Sequence, residues 1–457
     1  MKDFINTLRN IWKIHELRKR ILITIGLVAI YRFGAYVALP GVMPKVLLKA
    51  VEGRSSSDIL GLLNTFTGGA LFQASIFALG IMPYITSSII VQLLTFAVPY
   101  FQRLQQKEGE SGRNKINQIT RWLTLAITLV QGGGYLTTIV ASGAKDPSLS
   151  PYVFWMVNII ILSTGTIFSM WLGERITERG LGNGISLLIM VGIIARLPQS
   201  FFAEIQSQLA KSGGGLIIFV IEIFMLIGIV MLNVLIIQGV RKIPVQFAKK
   251  MVGKGTNQMP VSRARDYIPV KVNAAGVMPI IFAQAIMFLP VTVMQWATKS
   301  GAEAGGALVS LNRWTSVTYN VVFFLLIIVF TYIYTALVVN PRNYADYLKR
   351  MNAFIPGVKP GKPTEEFIDT IVTKITLPGA IFLGFIGIFP AIVAAMGVNQ
   401  AFALFFGGTS LLILVGVMLD TMQQVESHLL MRKYDGLVKS GKLRGRSAGG
   451  INPIGGM

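Results

Sequence analysis

Ten apolar runs constrain this chain more tightly than any motif in it. They lie approximately at Ile21–Leu39, Ser75–Phe96, Ile119–Ala141, Tyr152–Leu172, Ile185–Leu197, Leu216–Val240, Ala274–Trp296, Val317–Val339, Ile375–Ala395 and Leu404–Leu419. A helix needs about 20 mostly apolar residues to cross a bilayer. Inside hydrocarbon the backbone must satisfy its own hydrogen bonds, which selects helices. Of the 457 residues 53% are hydrophobic and only 14% charged, against about 25% charged in a soluble chain. The sequence therefore reads as one all-α polytopic membrane domain with ten transmembrane helices. The first run follows Arg18, Lys19 and Arg20 and has no cleavage-site pattern behind it, so it is expected to stay as a span.

Composition removes several function classes. There is no Cys, and His15 and His428 are the two His; disulfide scaffolds and thiolate metal sites are excluded. No GxxxxGK[ST] loop is present to hold a nucleotide. An intramembrane enzyme would need a nucleophile beside an activating base, and neither His falls within a span. No cofactor or metal is expected, and the chain reads as a non-enzyme.

The net charge of +22 is unusual for so apolar a chain, and its placement explains it. Ten spans return both termini to one side, and that side carries 33 of the 42 Lys and Arg. The bias of basic residues toward the cytoplasm makes it the inner face. Residues 1–20 are expected to hold a cytoplasmic interfacial helix, with Phe4, Leu8, Ile11 and Trp12 on one face. The stretch 421–457 is expected as a cytoplasmic tail, without order from Gly436 onward. Trp122, Trp155, Trp171, Trp296 and Trp314 fall near span ends, where amphipathic rings settle.

Five spans per half would insert the second half upside down relative to the first. Gly80-Ile81-Met82-Pro83 in span two is echoed by Gly276-Val277-Met278-Pro279 in span seven. Paired Gly and Pro interruptions of this kind point to the working site of an inverted-repeat membrane protein. Asp58–Ala70 is too short to span and too apolar for a solvated loop, so a re-entrant segment is expected, buried in protein or lining a cavity. Ionisable residues at the membrane midplane would favour an ion-coupled transporter of a small solute, which is the alternative reading. Arg32, Glu222 and Asp420 instead fall toward span ends, as snorkelling, paired or boundary residues. The span centres carry isoleucines that could form an apolar constriction.

Several stretches resemble SecY, the channel family of the bacterial protein translocase. Ser75–Ile90, with Gly80-Ile81-Met82-Pro83 inside it, resembles the family's span-two signature. Trp171–Ser186 resembles the signature before span five. Ala353-Phe354-Ile355-Pro356-Gly357-Val358-Lys359-Pro360-Gly361 and Gly407-Gly408-Thr409-Ser410 are similar to its later motifs, in family order. The resemblance implies two inverted five-helix halves, 21–197 and 216–420, joined by an external hinge loop at 198–215. It implies a pore ring of Ile81, Ile85, Ile189, Ile281 and Ile413. It implies a plug near 59–69, carrying Ile59, Leu60, Leu62, Leu63, Phe66, Gly68 and Gly69. A polar cluster of Thr86, Gln131 and Asn273 would mark a lateral gate opening to membrane lipid. Docking loops at 241–272 and 340–374 would offer Lys249, Lys250, Lys254, Arg263, Arg265 and Lys359 to a translating ribosome or the SecA motor. Lys359 stands where the family motif usually has Arg, and Lys cannot make the same bidentate contacts. The implied partners are the small subunits SecE and SecG, and the substrate is a nascent or precursor polypeptide with a signal sequence. The implied location is the cytoplasmic (inner) membrane, with passive transport driven by the partners.

Overall fold

The computed structural model describes residues 12, 14–52, 59–107, 109–211, 215–247, 251–252, 259–260, 265–287, 310–311 and 313–439. The first half runs α1 (His15–Gly34), α2 (Pro44–Glu52), α3 (Ile59–Phe66), α4 (Met82–Ala97), α5 (Pro99–Lys107), α6 (Gly109–Ala141), α7 (Pro151–Arg179) and α8 (Gly184–Leu209). The second half opens with α9 (Gly215–Gln238) and the strands β1 (Val240–Phe247), β2 (Met251–Val252), β3 (Met259–Pro260) and β4 (Arg265–Lys271). The short helix α10 (Met278–Met287) follows. The chain then forms α11 (Val317–Val338), α12 (Pro341–Arg350), β5 (Ala353–Phe354), α13 (Lys362–Ala395), α14 (Gln400–Ala403) and α15 (Gly408–Lys439).

Seven described helices are long and apolar enough to cross a membrane, and the pair α4–α5, bent by 100°, makes an eighth. The other two expected spans fall outside that count. Helix α1 carries Arg18, Lys19, Arg20 and Arg32 within 20 residues. Span seven is described only as α10, because 288–309 lie outside the described residues. Local sequence sets the helix ends. Ser150 caps α7 ahead of Pro151, and Asn183 caps α8 by accepting from the amides of Ile185 and Ser186. A polar cap followed by Pro is a favourable helix start.

The echoed motifs take the same backbone form. Gly80 has φ +53° and Gly276 φ +64°, and in each case a helix starts two residues later, at Met82 and Met278. Left-handed Gly followed by Pro in the first turn breaks the chain and restarts it as helix. The interruption expected within each span is thus a helix start preceded by irregular chain. In the first half that irregular chain is 67–81, folded inside the protein.

Three expectations change. The first is the external loop at 198–215, which is helical as far as Leu209, with Pro198 inside α8. Its inner face is polar and buried: the Gln208 amide donates to Glu204 Oε1 at 2.6 Å and to Glu222 Oε1 at 2.9 Å, and the amide of Asn399 donates to Glu204 Oε2. Glu222, expected to snorkel or pair, is 3% exposed and paired. Asp420 is exposed.

The second is the nature of the two loops expected to be cytoplasmic, which share one sheet, ordered β4-β1-β5. Strand β1 pairs antiparallel with β4, Ile243 opposite Ile268, and with β5, Phe247 opposite Ala353. Ile243 and Val245 alternate inward and pack with Val270, Leu348, Ala353, Ile355, Ile368 and Val372. The period-two pattern of Arg241–Phe247 was the available signal; Arg241, Lys242 and Pro244 made it read as a loop. The third is the C-terminal tail: α15 continues through Lys439, so 436–439 are helical, and 440–457 lie outside the described residues. Of the expected interfacial helix only Trp12 and 14–20 are described, and 15–20 are the first turns of α1.

Ile243→Ala should cost the sheet about 2–5 kcal/mol, the usual loss for a buried Ile. The expected outcome is faster proteolysis within 241–272 while protease protection of the spans stays unchanged. Gln208→Ala removes a donor shared by two buried carboxylates, a loss of about 1–3 kcal/mol. Thermal unfolding in detergent should shift down for Gln208→Ala and stay put for the exposed Gln206→Ala.

Candidate functional site

The site is built where the irregular chain 67–81 and the short helix α3 meet the middles of the long helices. Helix α3 is apolar on most of its surface, and Leu62, Leu63 and Phe66 are buried. Its C-terminal turn is closed by its own polar groups. Asn64 Oδ1 accepts from the amide of Phe72, the Asn64 carbonyl from the amide of Gly69 at 2.8 Å, and Thr67 Oγ1 from the amide of Leu71. Gly68 and Gly69 take φ of +65° and +96°, which only Gly adopts without strain. The segment lies against α8 so closely that a Cβ on Gly192 would collide with the Phe66 carbonyl oxygen.

The isoleucines of the expected ring come from separate elements. Ile81 is the residue before α4 and Ile85 lies one turn into it; Ile189 is on α8, Ile281 on α10 and Ile413 on α15. Ile81, Ile85, Ile189 and Ile413 are buried in one apolar cluster with Leu62 and Phe66 of α3, and the half-buried Ile281 packs against it. Ile85, Ile189, Ile281 and Ile413 also line a single cavity with Phe66, Met82, Gln284 and Thr409. A neighbouring cavity is bounded by Leu62, Gln284, Tyr319, Phe323 and Thr409. Helix α3 thus sits between two spaces in the centre of the protein.

Gln284 went unnoticed in the sequence, and Thr409 was noted only within the Gly407–Ser410 motif and not as a cavity residue. Gln284 stands three residues after Ile281 and Thr409 four before Ile413, so helical spacing puts each on the same face as its isoleucine. That spacing was the available signal. Gln284 lies within hydrogen-bond reach of the Tyr319 hydroxyl at 3.5 Å.

The expected polar trio is not joined by hydrogen bonds among the described residues. The Thr86 hydroxyl donates to the Met82 carbonyl of its own helix at 3.1 Å, the back-bond that Thr makes readily within a helix. Gln131 is buried on α6, and Asn273 is buried with its Oδ1 unpartnered. The hydrogen bond between spans two and three is made instead by Ser87 and Thr124, whose hydroxyls are 2.5 Å apart.

Of the expected docking residues, Lys249, Lys250, Lys254 and Arg263 lie outside the described residues, and so do the side chains of Arg265, Ile59 and Leu60. Lys359 is exposed in the turn after β5, where its carbonyl accepts from Thr364. It therefore shares one folded unit with the 241–272 hairpin. On β1, Lys242 sits 4.7 Å above the Tyr267 ring of β4.

No group of three or more His, Cys, Asp or Glu among the described residues could hold a metal ion. Glu204 and Glu222 lie in the polar patch where the end of α8 meets α9, and neither lines the apolar cavity. A transporter would place ionisable groups at its central site, and among the described residues that cavity is lined by none.

The comparisons bear on the whole chain. A sequence profile of the SecY family matches residues 75–422. The protein translocase subunit SecY of Streptomyces scabiei is 40% identical over 440 residues, which is 94% of this chain and 98% of the relative. Among solved structures, one described as a protein-conducting channel aligns with a TM-score of 0.62 at 17% identity, covering 93% of this chain and 94% of that one. Sec61 in the canine ribosome–channel complex from the endoplasmic reticulum aligns with a TM-score of 0.59 at 17% identity, with the same coverage. Apolar spans, paired interruptions, a buried short helix over an isoleucine-lined cavity and this identity over nearly the full length converge: the chain belongs to the SecY family.

Proposed function

We propose that this chain is a gated conduit for unfolded polypeptide across the cytoplasmic (inner) membrane, with a side exit through which apolar segments enter lipid. One observation carries the reading. Isoleucines from four separate helical elements surround a single apolar cavity, and Phe66 of the short helix α3 lines the same cavity. A substrate of arbitrary sequence offers no fixed polar groups to recognise. An apolar collar suits it, because such a collar blocks ions by dewetting and has no preference among side chains. Ile81, Ile85, Ile189, Ile281 and Ile413 would form that collar, and 59–69 would cover it from outside.

The side exit would separate spans two and three from seven and eight. Segments leaving through it sort by transfer energy, with Leu, Ile, Phe and Val each gaining about 0.3–0.6 kcal/mol at the membrane centre. Thr86, Gln131 and Asn273 would set the polarity of that seam, and the unpartnered Asn273 Oδ1 is available to a passing backbone amide. Energy would come from partners. The sheet unit that unites the 241–272 hairpin with Lys359 would dock a translating ribosome or the SecA motor, with SecE and SecG bracing the helices. Ribosomal RNA is anionic, so basic loop tips gain a salt-dependent attraction to it. Both termini would lie on the cytoplasmic side, where most basic residues fall.

Proteoliposomes holding the chain, its small subunits and SecA should import a secretory precursor when ATP is supplied. Uptake of a small solute driven by an ion gradient, with no precursor import, would overturn the reading. Replacing Ile81, Ile85 and Ile281 together by Gly should raise ion conductance in planar bilayers, and unchanged conductance would remove the collar. A photoreactive group placed at Ile281 should crosslink a stalled nascent chain, while one at the lipid-side Ile218 should not.

A further inference from the structure

Two arginines that the conduit reading leaves without a role meet at the C-terminal end of α3. Arg32 of α1 donates from Nη1 to the Gly68 carbonyl at 2.9 Å and from Nη2 to the Tyr36 hydroxyl, and it stacks 5.2 Å from the Tyr36 ring. Arg196 of α8 packs its guanidinium against Gly69, where a Cβ would lie 3.2 Å from Nε. That Nε is buried with no hydrogen-bond partner, and Nη1 reaches Gln199 on the next turn. Among the described residues no carboxylate pairs with either arginine. The two guanidinium groups thus lie against adjacent glycines, Gly68 and Gly69.

Half-buried cations of like sign, without acid partners, need another source of negative potential. The end of α3 supplies one. The last carbonyls of a helix carry about half an elementary charge of negative sign. Here the left-handed Gly68 and Gly69 leave the Gly68 carbonyl pointed at Arg32. Neither Gly has a side chain to hold the guanidinium groups off.

We propose that Arg32 and Arg196 latch the segment 59–69 in its covering position by gripping its C-terminal backbone. The latch rests on the reading of 59–69 as the cover. It acts on main-chain groups, so the apolar side chains of α3 remain free to press on the isoleucine cluster. Release of the segment strands two cations in the protein, a cost that opposes opening until an arriving chain brings carbonyls to replace those of Gly68 and its neighbours. Arg32 and Arg196 are positioning residues in this scheme and need not touch the isoleucines.

The absence of Cys makes a clean test available. A single Thr65→Cys, buried in α3, is the only thiol, and its labelling by a membrane-impermeant maleimide added outside reports release of the segment. The assay uses the full chain reconstituted with its small subunits, in parallel with planar-bilayer conductance. Arg32→Gln and Arg196→Gln should each speed labelling several-fold, up to about thirtyfold for a partly buried charge at a helix end. Arg32→Lys and Arg196→Lys should restore part of the protection, which a purely steric role would not do. Equal labelling rates in wild type and both Gln variants would overturn the latch. Deleting 59–69 separates this from the underlying reading. If deletion raises conductance while the Gln variants label slowly, the cover stands and the latch falls. If deletion leaves conductance unchanged, the cover falls, and labelling still reports whether the arginines hold the segment. Should a Gln variant fail to accumulate, faster labelling of the matching Lys variant than of wild type supports the latch, and an equal rate overturns it.

Discussion

Backbone hydrogen bonding in a place without water is the constraint on which this structure depends. Most of the chain answers it with helices, but residues 67–81 are irregular and largely buried, so their backbone groups need partners. The partners are found locally and across the first half. The amide of Leu39 donates to the Ala74 carbonyl at 2.7 Å, the amide of Ile76 to the Val37 carbonyl at 2.9 Å, and the Tyr135 hydroxyl to the Leu71 carbonyl. Ala74 holds φ +47° without being Gly, a conformation that costs about 1–2 kcal/mol and persists because both its amide and its carbonyl are bonded.

That irregular stretch is what permits the site to exist. It delays the start of α4 until Met82, so that Ile85 lines the cavity and Ile81 joins the apolar cluster around it. The second half repeats the device at Gly276 and Met278, which brings Ile281 to the same cavity from the other side. Two copies of one backbone break, inserted in opposite senses, thus aim isoleucines at a common centre. The contact between α3 and that centre is apolar and non-directional. The directional contacts of the segment lie at its C-terminal end, where the Gly68 carbonyl accepts from Arg32.

Further polar contacts join distant parts of the chain. Gln208 bridges Glu204 of the first half and Glu222 of the second, where the two halves are joined in sequence. The strand that follows α9 pairs with β5 before α13, tying the two basic segments into one folded unit. These joints rest on polar contacts, because hydrogen bonds between desolvated groups fix geometry far more narrowly than apolar packing does.

The sequence by itself determined the apolar spans and the paired breaks, because both are written in local composition or in short motifs. Hydropathy over about 20 residues decides insertion whatever the neighbours are, and a Gly with Pro three residues on interrupts a helix in any context. It also marked 58–70 as neither span nor solvated loop. Only the tertiary structure decided which residues meet. Gln284 and Thr409 join the cavity through helical phase, the Thr86 hydroxyl turns back on its own helix, and Arg32 ends on a carbonyl 36 residues away. The β1–β4–β5 sheet was hidden because Arg241, Lys242 and Pro244 mask an alternation whose value appears only when α12 and α13 supply an apolar floor. Contacts of this kind depend on packing between distant segments, and a one-dimensional pattern carries the residues that can make them but not the partners they find.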